Sequence, residues 1–167
     1  GLNRRSPQVF DPYRLNIETG EMVQLAENPG NIVGWITDHE GKLRAATAMT
    51  DGVNSTLLYR DNEESEFREV LTTSWRDNFN PHFFTFDNKK LYVSSNLGRD
   101  KEEIVIFDPQ TGEEVESLYK NDEVDVNGLK YSRKRKVLLS ASYTTEKKHY
   151  HFFDDDAKMQ YEFLQQK

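Results

Sequence analysis

The chain has 167 residues, of which 35% are hydrophobic, 31% are charged and 12% are aromatic, and its formal net charge is −7. This negative charge argues against a nucleic-acid partner, because neutralising backbone phosphates requires a basic surface. The sequence has no window of about 18 apolar residues, so no membrane span is predicted. It also has no cysteine, so disulfides give no evidence on compartment, and cytoplasmic and periplasmic locations both stay open.

The beginning of the chain predicts a frayed segment and then one hairpin. Residues 1–8 are polar and include a proline, and we expect them to be poorly ordered. β-Prone runs follow at residues 13–17 and 22–25, and the segment 18–21 between them is a Gly-bearing hairpin turn. We interpret residues 9–28 as the second half of a four-stranded unit.

Two complete four-stranded antiparallel meanders are predicted next, at residues 31–73 and 80–121. In each of them, four short β-prone runs alternate with turns rich in Gly, Asn and Asp. The second meander is the clearer one, and its runs are at residues 83–86, 91–95, 104–107 and 115–119. The last of these runs also fits a helical pattern, but the repeat favours a strand.

The connector between the two meanders, residues 72–81, is the longest segment that departs from the repeat. It holds Trp75, Arg76, Asn78 and Phe79. Loops on a rigid scaffold carry binding residues in many proteins, so these four residues are a candidate interaction loop. The alternative is that Trp75 and Phe79 fill the gap between neighbouring blades, and burial is the commoner role of large aromatic side chains.

The last predicted meander covers residues 126–166. Its runs are at residues 128–131, 137–143, 149–153 and 158–164. The alternation of Met159, Tyr161 and Phe163 favours a fourth strand. The same residues also fit a helical stripe, and the repeat decides for the strand.

Two charged segments interrupt this last meander. The basic run at residues 133–136 is short and predicts a solvated hairpin tip, with contact to an acidic partner as the alternative. The acidic run at residues 154–156 lacks the alternating spacing and the distal glutamate of a calcium loop, so it predicts a turn.

The β-prone runs recur at a nearly constant spacing. The second runs repeat at intervals of 48 and 46 residues, through Leu43, Leu91 and Val137. The third runs repeat at intervals of 44, 48 and 46 residues, through Leu15, Tyr59, Phe107 and Phe153. A four-stranded repeat of about this length is typical of a β-propeller blade. The sequence therefore predicts an all-β fold, a partial β-propeller of about three and a half four-stranded antiparallel blades.

Motifs for catalysis or metal binding are missing from the sequence. The serine nucleophile of an α/β-hydrolase lies on a G-x-S-x-G turn, and no such pentapeptide occurs. His149 and His151 would share one face of a strand, but no third ligand lies at a diagnostic spacing. We therefore predict no catalytic, cofactor-binding or metal-binding residue in this chain.

Residues 81–108 carry a recognisable blade motif. An aromatic run leads into Asp87-Asn88-Lys89, a strand ending in Ser-Ser-Asn follows, and the segments 98–100 and 104–108 complete the motif. It resembles the blades of TolB-like propellers and of the N-terminal propellers of prolyl-oligopeptidase-family serine peptidases. Asn88 stands where that motif has Gly, and asparagine tolerates positive φ, so we expect the turn to survive. Residues 9–28 look like the bacterial dipeptidyl-peptidase and acylaminoacyl-peptidase members.

The resemblance implies a seven- or eight-bladed propeller that covers a separate catalytic α/β-hydrolase domain and limits the access of large peptide substrates. On this interpretation the chain is a non-catalytic propeller fragment, and the catalytic residues of its parent serine peptidase lie elsewhere. The alternative is a TolB-like protein-interaction propeller with no peptidase domain. We also expect the isolated chain to associate with itself, because an incomplete propeller leaves apolar faces uncovered.

Overall fold

The computed structural model describes residues 1–166, and these residues form fifteen β-strands and one α-helix. All strand pairs are antiparallel and lie in sheets of two to four strands, which confirms the predicted all-β class. The chain divides into two compact units, Gly1–Trp75 and Arg76–Lys167. None of the described residues belongs to a helix long and apolar enough to cross a membrane. The division of the chain into separate blades at residues 9–28, 31–73, 80–121 and 126–166 stays a prediction.

The first unit contains two hairpins and one four-stranded meander. Its strands are β1 (Leu2–Ser6), β2 (Val9–Asp11), β3 (Tyr13–Leu15), β4 (Met22–Gln24), β5 (Ile32–Thr37), β6 (Leu43–Thr50), β7 (Asn54–Tyr59) and β8 (Arg68–Thr73). β1 pairs with β2, β3 pairs with β4, and β5 to β8 form a meander in chain order. The strands expected from residue 13 to residue 73 are therefore present.

The first hairpin shows that the expectation of a poorly ordered start was wrong. Arg5 on β1 donates two hydrogen bonds to the Asp11 carboxylate, both 3.1 Å long, and one of 2.6 Å to the Asn28 carbonyl. Asp11 is fully buried and also accepts the Asn28 N–H at 2.7 Å. A buried carboxylate needs such partners, because an unpaired one costs free energy. This polar segment is held by an ion pair, which a search for hydrophobic periodicity does not reveal.

The core of the β5–β8 meander lies on its two middle strands. Leu43, Ala45 and Ala46 on β6 and Leu57 and Tyr59 on β7 are each at most 2% exposed. Since consecutive residues of a strand point to opposite faces, burial of both Ala45 and Ala46 means that both faces of β6 are covered. Two-sided burial is expected of a sheet that stacks on neighbours.

The second unit contains a four-stranded meander, a three-stranded sheet and the helix. Its elements are β9 (Phe79–Phe84), β10 (Leu91–Ser95), β11 (Glu103–Asp108), β12 (Glu113–Tyr119), β13 (Val126–Ser132), β14 (Val137–Thr144), β15 (Lys148–Phe152) and α1 (Asp155–Gln165). The sheet orders are β9-β10-β11-β12 and β13-β14-β15. Asn88 adopts a φ of 59° in the β9–β10 turn, so the turn tolerates asparagine as predicted.

The two sheets of the second unit pack against each other. Ile104 on β11, Val126 on β13 and Ala141 on β14 are fully buried in one hydrophobic cluster. Nearby, the rings of Phe83 on β9 and Tyr131 on β13 stack with 4.0 Å between their centroids. Removing this apolar surface from water is the main gain when two sheets stack.

A close backbone approach recurs in the first strands of two sheets. Gly34 on β5 lies opposite Thr47, and Gly128 on β13 lies opposite Ser142. A Cβ atom at either glycine would collide with the hydroxyl group that faces it. Each glycine also follows a register shift in its strand, as expected at a β-bulge. The two sheets therefore share a local irregularity as well as a strand order.

The prediction of a fourth strand at residues 158–164 was wrong, because these residues belong to α1. Asp154 caps this helix, and its side chain accepts the Ala157 N–H at 2.9 Å. Asp155 and Asp156 lie in the first turn, where negative charge complements the helix dipole. The acidic run is thus a helix cap and a first helical turn, and the predicted turn is corrected accordingly.

The side chains of α1 that face the three-stranded sheet recur at a helical period and not at the period of a strand. Ala157, Tyr161 and Leu164 follow helical spacing, and all three line a groove against the sheet. The Tyr161 ring lies near Tyr150 and Phe152 of β15, with centroids 5.2 and 5.4 Å apart. Tyr161 makes these ring contacts in the helical conformation. The alternation of side chains along a strand does not predict them.

The basic run at residues 133–136 forms the predicted hairpin tip between β13 and β14. However, Arg135 is paired with acidic side chains. It donates to Asp154 at 2.7 and 3.0 Å and to Asp156 at 3.2 Å. The tip is therefore tied to the start of α1 and is not simply solvated.

Candidate functional site

The four residues of the predicted interaction loop have different environments. Trp75 ends the first unit and is 69% exposed, and Arg76, also exposed, begins the second unit. Phe79 is the first residue of β9, and its ring meets the buried Phe107 ring edge-on at 4.8 Å between centroids. Phe79 therefore packs within its own sheet. The role of the loop in binding and the alternative that the Trp75 ring fills a gap between blades both stay predictions.

Asn78 belongs to a polar cluster that the sequence did not predict. Its N–H donates to the Asn96 side-chain oxygen at 2.8 Å, and the Asn96 N–H donates back to the Asn78 carbonyl at 3.1 Å. Its side-chain amide donates to Oε1 of Glu102 at 2.7 Å. We call Asn78, Asn96, Glu102 and Asp125 the Glu102 cluster.

Glu102 connects three segments of the second unit. It lies just before β11 and is only 8% exposed. Its N–H donates to Oδ1 of Asp125 at 2.9 Å, and its carbonyl accepts the Val126 N–H at 3.0 Å. Together with the bond from Asn78, these contacts join the connector, the start of β11 and the start of β13.

The surroundings of Glu102 disfavour its charged form. Burial raises the pKa of Glu102 above its usual range, and the nearby Asp125 carboxylate raises it further, while the hydrogen bond from Asn78 opposes this rise. A carboxyl group with a raised pKa takes up a proton at a less acidic pH than usual. The Glu102 cluster therefore loses a negative charge at a less acidic pH than a solvated glutamate does.

A polar pocket of about 320 Å³ opens beside the cluster and shares one residue, Asp125, with it. The pocket is lined by Lys101, Glu123, Val124, Asp125, Asn127 and Thr144. Carboxylates accept hydrogen bonds from ammonium and guanidinium groups, and an ammonium group donates to carbonyls and carboxylates. The charged side chains Lys101, Glu123 and Asp125 therefore make this pocket a candidate site for a charged or polar ligand.

Sequence reasoning gave no role to Glu102 or Asp125. The available signal was an acidic residue directly before each of two strands, β11 and β13. On the sequence alone such residues look like ordinary solvated turn residues, because burial at a strand end depends on what packs over it.

His149 and His151 share one face of β15, as their spacing predicts, and both rings stack on tyrosines. The centroid distances are 5.3 Å to Tyr143 for His149 and 4.0 Å to Tyr119 for His151. Burial lowers the pKa of His151. Within the part of the chain that the structure describes, no three His, Asp or Glu side chains converge in a way that could hold a metal ion.

A second pocket, an apolar groove of about 260 Å³, lies between α1 and the three-stranded sheet. Its apolar lining includes Tyr150 and Phe152 on β15, Leu139 on β14, and Tyr161 and Leu164 on α1. Such a lining favours an apolar side chain over a charged ligand. The polar pocket and the apolar groove of the second unit therefore favour different kinds of ligand.

No protein-family model matches this chain. Dipeptidyl aminopeptidase BIII of Pseudoxanthomonas mexicana is 29% identical to it over 135 residues, which cover 77% of this chain and 19% of that relative. The chain thus spans about a fifth of the length of the curated relative that it matches. It is distantly similar to part of a peptidase.

Proposed function

We propose that this chain forms a non-catalytic part of the β-propeller of a serine peptidase of the dipeptidyl-peptidase or acylaminoacyl-peptidase type. In this proposal it supports a catalytic α/β-hydrolase domain and restricts the entry of large peptide substrates. The observation that carries the proposal is the similarity to a dipeptidyl aminopeptidase over 77% of the chain.

The fold is compatible with such a role. Successive antiparallel meanders, of which two stack in the second unit, are the elements from which a propeller is assembled. The sequence has no G-x-S-x-G pentapeptide, so the proposal places the serine chemistry in another domain. The stacked sheets would then act as a wall whose rigidity determines which substrates pass.

The peptidase part of the proposal is tested on the full-length product of the gene that encodes this chain. We expect that product to hydrolyse dipeptidyl 4-nitroanilides and to react with a fluorophosphonate probe, which modifies activated serine hydroxyls. The 167-residue chain alone, used as the control, should do neither. A full-length product that is folded but neither labelled nor active would refute the peptidase proposal and favour the TolB-like interaction module.

The gating part needs a separate comparison of short and long substrates. Ile104→Ala removes a fully buried side chain between the stacked sheets, and it should loosen them. We expect the full-length variant to cleave long peptides faster relative to a dipeptidyl anilide. Val115→Ala, on a side chain that is 47% exposed, is the matched control and should leave the ratio unchanged. An unchanged ratio in the folded Ile104→Ala enzyme would contradict gating by this wall.

A further inference from the structure

The strand β15 has an unpaired edge. It is the last strand in its sheet order, and α1 follows it where the other two meanders have a fourth strand. The Phe153 N–H donates to the carbonyl of Leu139 on β14 at 3.0 Å, so the backbone groups of Phe153 point toward β14. Because hydrogen-bonding direction alternates along an antiparallel strand, Tyr150 and Phe152 direct their N–H and C=O groups away from β14. No strand of the described residues pairs with this edge.

The same two residues line the apolar groove beside the edge. The rings of Tyr150 and Phe152 form its floor, and Tyr161 of α1 lies against them. None of the helix residues that the structure describes is buried, and Met159 and Leu164 are 60% and 68% exposed. An unpaired strand edge next to exposed apolar side chains is a template for pairing with another strand.

The β3–β4 hairpin of the first unit also has outward-facing backbone groups and exposed apolar side chains. Its Asn16 N–H donates to the Glu21 carbonyl at 2.8 Å. By the same alternation, Leu15 and Met22 direct their backbone groups outward from the hairpin. Their side chains are 55% and 37% exposed, and Ile17 in the turn is 90% exposed.

The two elements also lie in regions of opposite net charge. Residues 126–166 contain eight Lys or Arg and five Asp or Glu residues, a net charge of +3. Residues 1–75 contain seven Lys or Arg and twelve Asp or Glu residues, a net charge of −5. Lys147 and Lys148 lie at the start of β15, and Glu18 and Glu21 lie in the hairpin turn. Opposite charges favour encounter between these surfaces.

We propose that the β3–β4 hairpin of one copy of this chain docks on the open edge of β15 and on the adjacent groove of a second copy. The hairpin adds a strand to the three-stranded sheet, and its exposed apolar side chains enter the groove. A second copy is the occupant because this chain itself supplies a hairpin with exposed apolar side chains and with Glu18 and Glu21 in its turn. One such contact is enough to join two copies of the chain.

Sedimentation of the purified chain over a wide concentration range tests the proposal. The mass should rise from 19.6 kDa to twice that value as the concentration rises, and added salt should weaken the association. Leu15→Lys removes an apolar contact and brings a like charge to the basic surface, so dimer dissociation should increase by about tenfold or more. Val53→Lys, at a valine that is 57% exposed in another turn, is the matched control and should associate as the unmodified chain does.

Hydrogen exchange locates the contact independently of these variants. The amides of Tyr150 and Phe152 should become more protected as the concentration rises, and this change should be absent in Leu15→Lys chains that circular dichroism shows to be folded. A mass of 19.6 kDa at every concentration would overturn the proposal. Equal effects of Leu15→Lys and Val53→Lys, or a dimer without added protection on β15, would overturn it as well.

Discussion

The Tyr119 ring lies almost parallel to the His151 ring, with 10° between their planes and 4.0 Å between their centroids. Tyr119 ends β12, and His151 lies on β15, so this pair joins the outer strands of two neighbouring sheets. Burial lowers the pKa of His151, which favours the neutral ring at pH values near 7. The pair is therefore a packing contact between uncharged rings.

The first prediction concerns the coupling between these two rings. Tyr119→Leu and His151→Leu should each lower the free energy of unfolding, because an aromatic pair contributes about 0.5–1.5 kcal/mol beyond its buried area. The double variant should lose less than the sum of the two single losses. Urea unfolding followed by circular dichroism measures this, and strict additivity would show that the stacking contributes nothing.

The second prediction is that acid destabilises the chain through His82. Burial lowers the pKa of His82 below 6.5, and its Nε2 atom is buried without a hydrogen-bond partner among the described residues. As the pH falls below about 6.5, the unfolded chain takes up a proton that the folded chain resists, so the free energy of unfolding decreases. His82→Phe should make the fall in stability between about pH 7 and pH 5 shallower. A parallel displacement of the two curves, with no change in slope, would contradict this origin.

The third prediction concerns the ion pair that holds the first hairpin. Hydrogen bonds from Arg5 and from the Asn28 N–H lower the pKa of Asp11 below 3.8. The carboxylate therefore stabilises the folded chain above about pH 3.8, and this contribution is lost as the pH falls through the lowered value. Asp11→Asn should increase hydrogen exchange in β1 and β2 at neutral pH, whereas Arg4→Ala, at an exposed neighbour, should not. Unchanged exchange in Asp11→Asn would show that the ion pair does not order this segment.

The fourth prediction uses the close approach at Gly128. Gly128→Ala places a Cβ atom against the Ser142 hydroxyl and should destabilise the chain by about 1–3 kcal/mol, as overpacking does. Ser142→Gly in the same chain removes the colliding group and should recover part of this loss. Thermal unfolding measures both variants. If Gly128→Ala alone is as stable as the unmodified chain, the backbone can relax at this position.

The fifth prediction separates capping from charge at the start of α1. Asp154→Ala removes the acceptor for the Ala157 N–H and the partner of Arg135, so the amides of α1 should exchange faster. Asp154→Asn keeps a capping oxygen without the charge and should retain more protection. Equal exchange in the two variants would assign the effect to the ion pair alone.

The strand pattern was largely predictable because it depends on local signals. Short apolar runs separated by Gly, Asn and Asp residues identify strands and turns. Asn88, which replaces the usual glycine of its turn, adopts a φ of 59°, as we predicted. The hairpin at residues 1–11 was not predictable in this way, because Arg5 and Asp11 are ordered together with Asn28, which is distant in sequence.

Local sequence signals conflicted at the helix and gave no indication of the Glu102 cluster. Residues 158–164 fit both a strand and a helix, and the repeat favoured the strand, whereas the structure has a helix that Asp154 caps. Glu102 and Asp125 were missed because their partners come from three separate segments. Of the predicted loop, Asn78 joins this cluster, whereas Phe79 packs in the sheet and Trp75 is exposed.

The packing of the β13–β15 sheet has a consequence for the order in which the second unit opens. One face of this sheet rests on the neighbouring meander, and the other is covered by a helix without a buried residue. Local unfolding begins where burial is least, so the amides of β15 should become accessible long before those of the fully buried β10. A protease added under native conditions should therefore remove the terminal sheet first and leave the four-stranded meander intact for longer.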